Sequence, residues 1–203
     1  LGIPAEPLFR SMNLPGYDTV SFKIVGKTEP VNIVICTSPQ SCRINKTNSK
    51  SPKNEKPLRF NEFLKSRVQG MRINSCKQLG LDRIVKFDVS TWKDRLFIYA
   101  RLWSNAANII VTDENGKILD CLYRRPAKGE ITGGVFVPQE KIPTEEEKEL
   151  SLLKFPIRTF DDNDFFKGKE ELSFNEKINL YYTECAGKLS RERRRKIGRA
   201  VQQ

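Results

Sequence analysis

The 203-residue sequence contains no histidine. Without an imidazole the chain has no Ser-His-Asp or Cys-His nucleophile system and no His-ligated metal, because those chemistries use the ring as base or ligand. Long apolar runs are also missing: Ile109-Ile110-Val111 and the stretch from Val31 to Cys36 fall far short of the roughly 20 residues that cross a bilayer. Five cysteines, Cys36, Cys42, Cys76, Cys121 and Cys185, include no Cys-x-x-Cys pair. A disulfide framework or zinc site is therefore not expected, and each is read as a small, half-buried hydrophobe in a reducing cytosol. There is no Gly-x-Gly-x-x-Gly or Walker loop, and Gly133-Gly134 alone is too weak a phosphate signal. The opening Leu1-Gly2-Ile3-Pro4 lacks an initiator Met, a basic segment and an apolar segment, so it reads as a fragment boundary and not as a signal peptide. No cofactor, metal or catalytic residue is expected.

What is present in excess is positive charge. Lys and Arg number 36 against 25 Asp and Glu, a formal net charge of +11. From Lys188 to Arg199 seven positive charges face only Glu192, and the rest of the chain carries 29 positive against 24 negative. Such asymmetry suits an arm that neutralises phosphates, and equally a solvated helix face. A second basic stretch, Arg43, Lys46, Lys50, Lys53, Lys56 and Arg59, is interleaved with Asn, Ser and Pro. It reads as a long exposed loop, either tracking a phosphate backbone or merely solubilising.

The length suits one domain with a real core, or one domain with an appendage. TVSFKIV and VNIVIC, separated by Gly26 to Pro30, predict a strand, turn and strand. Phe60, Phe63, Leu64 and Val68 recur at helical spacing, with Gly70 where a left-handed cap belongs. Strands are then expected over 72–78, 84–89, 96–102, 108–112 and 118–123, with Asp113-Glu114-Asn115-Gly116 as a hairpin turn. Short connections imply an antiparallel meander. Capping boxes at Thr144–Glu147 and Ser173–Glu176 open two helices. The second carries Phe174, Ile178, Tyr181, Cys185 and Leu189 on one stripe, and a helix of nearly 30 residues would reach roughly 45 Å before ending in the basic tail. Asp161-Asp162-Asn163-Asp164 lacks the Gly and distal Glu of a calcium loop and reads as a solvated acidic loop. Trp92, Trp103, Tyr181 and Tyr182 have rings that stack bases, and read first as core or rim packing.

Between two expected strands lies Gly80-Leu81-Asp82-Arg83. Arg83 can fork onto a phosphate or a base edge, while Asp82 can accept from a base amine or ribose hydroxyl. On these residues alone, a plain surface turn remains open beside a recognition site.

The run RINSCKQLGLDRIVKF followed by LFIYARLWSNAANIIVTDENGKILD resembles the N-terminal domain of the NFACT family, long named fibronectin-binding protein A in bacteria. It is strongest over 58–137 and extends back to Pro7. The resemblance implies a cytosolic ribosome-quality-control factor that binds transfer RNA and the obstructed large ribosomal subunit and supports alanine tailing of stalled chains. It implies an α+β fold similar to the N-terminal domain of formamidopyrimidine-DNA glycosylases: a strand-rich flattened sandwich or barrel flanked by helices, with a basic C-terminal helix. On the family pattern Asp82 and Arg83 fall on an Asp-Arg pair implicated in transfer RNA recognition, and Asn108 on the Asn before Ile-Ile. The family wording Gly-Arg-His-Ser-Asn is replaced here by Ser104-Asn105-Ala106-Ala107-Asn108, so no role of that Arg or His carries over.

The expected organisation is a strand-rich domain over 1–137 without the family's first helix, a linker with a short helix over 138–172, and the start of a middle coiled-coil region over 173–203. The RNA-binding set is Asp82, Arg83 and Asn108, with Arg191, Arg193, Arg194, Arg195 and Lys196 supplying backbone charge. A fibronectin-binding adhesin is the alternative carried by the family's historical name. A glycosylase-type repair protein is a remote one, since Leu1 is a poor amine nucleophile for a flipped base.

Overall fold

The computed structural model describes residues 6–39, 41–48, 57–103, 105–156 and 164–185. Among these residues nine strands form one antiparallel sheet: β1 (Leu8–Asn13), β2 (Thr19–Val25), β3 (Val31–Cys36), β4 (Arg43–Thr47), β5 (Arg72–Gln78), β6 (Ile84–Ser90), β7 (Arg95–Arg101), β8 (Asn108–Thr112) and β9 (Ile118–Cys121). Their spatial order is β4-β3-β2-β1-β5-β6-β7-β8-β9. Among the described residues three α-helices accompany them, α1 (Arg59–Arg67), α2 (Glu145–Lys154) and α3 (Phe174–Leu180), making an α+β fold around an open sheet.

The sheet bends sharply at its middle. β1 and β5 share a single paired position, Leu8 with Arg72, and β5 carries a bulge between Ile73 and Ser75. Phe22 on β2 and Phe87 on β6 are three ladder steps apart, about 14 Å in a flat sheet, yet their ring centroids are 6.3 Å apart. Beyond the ends of β3 and β9, the Thr37 and Tyr123 hydroxyls meet at 3.0 Å. The two halves thus face one another over Phe9, Phe22, Ile35, Phe87, Ile98 and Ile109, all buried.

Helix α1 plugs this core with Phe60 and Leu64, joined by Val68 at its C-cap, as the helical spacing predicts. All five residues of β8 are buried. One face meets the core and the other is covered by the segment after β9, where Phe136 packs on Ile110 and Ile118. A strand covered on both sides reads as a continuous apolar run, which is how Asn-Ile-Ile-Val-Thr stands in the sequence.

Both outer edges of the sheet are covered, as edges exposed to solvent invite pairing with other chains. At β4 the Lys46 amide donates to Asn175 Oδ1 of α3 at 3.0 Å. At β9 the Ile118 amide donates to the Gly134 carbonyl at 2.7 Å, and the Gly133 amide to the Ile118 carbonyl at 2.8 Å. Here Gly133-Gly134 has a structural reason: a Cβ on Gly134 would lie 2.0 Å from the Gly129 carbonyl oxygen.

The basic stretch expected as one long loop is not one. Arg43–Thr47 is β4, with Asn45 and Thr47 buried, because the VNIVIC strand offers a free ladder edge that outweighs a polar composition. Arg59 belongs to α1, where its guanidinium pairs with buried Asp120 and donates to the Cys121 carbonyl at 2.7 Å. Lys50, Lys53 and Lys56 lie outside the described residues. The last helix runs as α3 and continues into a π-type turn over Tyr181–Cys185, and its basic continuation lies outside the described residues. Of the cysteines, Cys36 and Cys121 are buried, whereas Cys76 is exposed on β5 instead of half-buried, since every residue of that strand past Ile73 is exposed.

Candidate nucleic-acid interface

The turn joining β5 to β6 is held by its own backbone. The Leu79 amide donates to the Ile84 carbonyl at 2.9 Å, and the Asp82 amide to the Leu79 carbonyl at 3.1 Å. Gln78 Nε2 donates to the Asp82 carbonyl at 2.9 Å, and the Leu102 amide on the neighbouring strand exit donates to the Arg83 carbonyl at 2.8 Å. Leu79 is sunk beside Ile84 and Tyr99. Gly80 has φ +54°, and a Cβ there would meet the Lys141 carbonyl at 2.9 Å. With main chain and anchor fixed, Leu81, Asp82 and Arg83 are all exposed. Among the described residues neither Asp82 nor Arg83 enters an ion pair, so a carboxylate and a guanidinium stand side by side on a rigid turn.

Beside this turn, a groove of about 530 Å3 runs between Gly80, Leu81 and Asp82 on one wall and Lys141, Leu150 and Phe155 on the other. The β7–β8 and β9 loops emerge at the same end of the sheet, since Ile84 pairs with Arg101 and Arg101 with Asn108. They add exposed Arg124 and Lys128. Arg83, Arg124 and Lys128 give this end a positive rim.

Asn108 lies beneath the rim and is fully buried. Its Nδ2 donates to Glu130 Oε2 at 2.8 Å and to the Tyr123 carbonyl at 2.9 Å, and its Oδ1 accepts from the Ile109 and Tyr123 amides at 2.9 and 3.0 Å. All its hydrogen-bonding capacity is spent inside the protein, so it presents nothing to a ligand in this structure. Arg101, buried alongside, donates to Glu130 Oε1 at 2.5 Å and to the Ala106 carbonyl at 2.7 Å. Arg125 reaches Glu130 at 3.4 Å and the Ala107 carbonyl at 3.0 Å. Burial by itself would push the Glu130 carboxyl up, but the Arg101 and Asn108 hydrogen bonds and the charges of Arg101 and Arg125 outweigh it and hold the group below its ordinary value. This network ties Ala106 and Ala107, just before β8, to the 123–130 loop. Its signal in the sequence is weak: one Arg ending an apolar strand and one Glu in a glycine-rich loop.

The structure brings Asp82 and Arg83 together at the surface and puts Asn108 underneath a neighbouring loop. Arg191, Arg193, Arg194, Arg195 and Lys196 lie outside the described residues. The aromatic candidates divide. Trp103 is half-buried with Arg101 5.5 Å from its ring centroid. Tyr182 stacks under Arg43 at 4.5 Å and packs edge-on against Tyr181. Trp92 is 88% exposed at the β6–β7 hairpin tip, with Lys93 over its ring, so it is not packing.

A family model described as NFACT N-terminal and middle domains matches residues 9–131. No curated protein matches the sequence significantly. Among solved structures, the N-terminal part of the fibronectin/fibrinogen-binding protein from Streptococcus suis is similar over 75% of this chain and 63% of its own, at 18% identity and TM-score 0.63. The fibrinogen-binding protein from Staphylococcus aureus is similar over 70% of this chain and 51% of its own, at 20% identity and TM-score 0.56. The N-terminal domain of fibronectin-binding protein PavA from Streptococcus pneumoniae is similar over 94% of this chain and 77% of its own, at 19% identity and TM-score 0.62. The likeness at these identities is one of fold, and the chain spans less than two thirds of the first two.

Proposed function

The chain belongs to the family of NFACT N-terminal and middle domains, and from that premise we propose that it is a non-catalytic RNA-binding module of a cytoplasmic ribosome-quality-control factor. Its ligands are transfer RNA and the obstructed large ribosomal subunit, in support of alanine tailing. The proposal includes the fold kinship with formamidopyrimidine-DNA glycosylase N-terminal domains and the basic C-terminal helix as a backbone-binding arm.

The observation that carries this reading is the exposed Asp82-Arg83 pair on a backbone-locked turn. Phosphate contacts supply affinity and position, whereas base or ribose contacts supply discrimination. Arg83, Arg124 and Lys128 suit the first role, and Asp82 suits only the second, because a carboxylate is repelled by bare phosphate. The net charge of +11 supports long-range attraction to polyanions. Among the described residues no helix is long and apolar enough to cross a membrane.

Arg83→Ala tests the reading in the 203-residue chain. The expected outcome is a loss of about 1–3 kcal/mol in transfer RNA binding, typical of a specific bidentate contact, with a smaller loss on a length-matched DNA duplex. Equal losses on both ligands would overturn specific reading.

A second reading, binding of fibronectin or fibrinogen, is favoured by the names of the structural neighbours. A basic surface attracts acidic matrix components without specificity. Fibronectin binding that persists at about 0.3 M salt, where the screening length is only several ångströms, would support this reading; loss of binding there would remove it.

A further inference from the structure

After β9 the chain returns over the outer face of the sheet as a strap, residues 133–143. The Phe136 amide donates to the Gly116 carbonyl at 2.8 Å, and its ring packs edge-on against Tyr99 at 5.2 Å. Four residues on, Glu140 meets Lys77 Nζ at 2.7 Å with one oxygen and Lys86 with the other. Lys77 on β5 and Lys86 on β6 are direct cross-strand partners, and these two strands feed the Leu79–Arg83 turn. Two ammonium groups directly opposite each other repel. Lys86 cannot turn away freely: its side chain is only 13% exposed, and its Nζ lies 3.9 Å from the Phe97 ring centroid. The next residue, Lys141, sets its carbonyl against Gly80 within the turn.

We propose that Glu140 is a positioning residue for the Leu81-Asp82-Arg83 turn: by bridging Lys77 and Lys86 it holds the strap down, so that the Lys141 carbonyl braces Gly80 and fixes how Asp82 and Arg83 are presented to RNA. This rests on the RNA-binding reading above. The mechanism is electrostatic and steric at once. The carboxylate cancels the lysine repulsion that would splay β5 from β6, and it pins the strap whose main chain abuts the turn. Glycine at position 80 permits that approach.

Glu140→Gln keeps the shape and removes the charge. Two measurements follow on the 203-residue chain: hydrogen exchange at the Asp82 and Leu102 amides, which report the turn's closing bonds, and the ratio of transfer RNA to duplex DNA affinity. The expected result is faster exchange at both amides with no change in β2 or β3. The affinity ratio should fall about fivefold, the scale of indirect coupling through a packed network. In the double variant Glu140→Gln, Lys86→Gln, which removes the repulsion, exchange should recover part of the way. Unchanged exchange at Asp82 and Leu102 would overturn the bracing. Binding that rises equally on both nucleic acids would mean that Glu140 only subtracts charge, and would overturn the positioning role. The variant Asp82→Ala, Arg83→Ala separates the two claims. If it erases the RNA preference while Glu140→Gln does not alter it, the RNA reading stands and this inference falls. If it leaves the preference intact, the RNA reading falls, and the exchange arm still decides whether Glu140 braces the turn.

Discussion

Asn108 illustrates how a functional expectation and a structural role separate at a single residue. Its family position points to the ligand, yet its amide is enclosed among Glu130 and the backbones of Ile109 and Tyr123. Replacing it takes the acceptor from the Ile109 and Tyr123 amides and leaves Glu130 Oε2 with only Arg125 at 3.4 Å, and an unsatisfied buried group costs about 1–3 kcal/mol. Asn108→Ala is therefore expected to lower unfolding stability by that amount in a urea titration, while RNA affinity of the folded fraction stays within about twofold, since no base contact is lost. A variant of full stability, or one that stays folded and loses RNA binding selectively, would contradict this assignment. Asp82 and Arg83 are the converse case. Their types alone fit a plain surface turn as well as a recognition site, and the family resemblance is what pointed to recognition; their exposure is a consequence of Leu79 anchoring the turn while Gly80 reverses it.

At the scale of elements, seven of the nine strands and all three helix starts follow from apolar runs, turn residues and capping boxes. The two strands outside those expectations, LFRSMN and RINKT, lack a β-branched run: the first mixes Leu8, Phe9 and Met12 with Arg10, Ser11 and Asn13, and the second has Ile44 as its one apolar residue. Pairing and not composition makes them strands: β4 completes the ladder of its sequence neighbour β3, β1 pairs along β2, and its single position with β5, Leu8 with Arg72, is the long-range link that bridges the two halves of the sheet. The same holds for Arg59, which reads as one charge in a basic stretch and serves as the latch from α1 to β9. Its removal leaves Asp120, which is 4% exposed, with the Cys121 amide at 2.9 Å and Arg124 at 3.5 Å, both on Oδ1, and takes the cation from Oδ2. Arg59→Ala is expected to cost about 1.5–3 kcal/mol, the worth of a hydrogen bond to a charged group, read as a lower thermal midpoint. The strap straddles the boundary expected at 137–138 and was not legible as an element. Its contacts with Gly80 and Gly116 are long-range, and no spacing rule anticipates them.

Across the whole molecule, the carboxylates tie the sheet together and set its pH dependence. The hydrogen bond from Arg95 holds Asp88 below its ordinary 3.8, hydrogen bonds from Lys77 and Lys86 hold Glu140 below 4.5, and Glu130 is likewise held below 4.5 against its burial. A carboxylate whose folded value lies below its unfolded one stabilises the fold fully above the unfolded value, and that contribution is lost as pH falls through the folded value. The thermal midpoint is thus expected to be flat from neutral pH to about 5 and to decline below the ordinary carboxylate range. With no histidine in the chain, no step is expected near pH 6.5. A midpoint that drops between pH 7 and 6 would contradict this reading of the network.

The same charge balance governs binding. Excess lysine and arginine attract any polyanion, so affinity alone does not distinguish a recognition module from a sticky surface. The most direct measurement is therefore the affinity of the 203-residue chain for transfer RNA and for a length-matched DNA duplex across a salt series, beside the Asp82→Ala, Arg83→Ala variant. The account predicts that transfer RNA is preferred at physiological salt, that the preference outlasts the steep salt-dependent weakening common to both ligands, and that the folded variant loses it. Equal binding of both nucleic acids, unchanged by the variant, would contradict it and assign binding to basic charge alone.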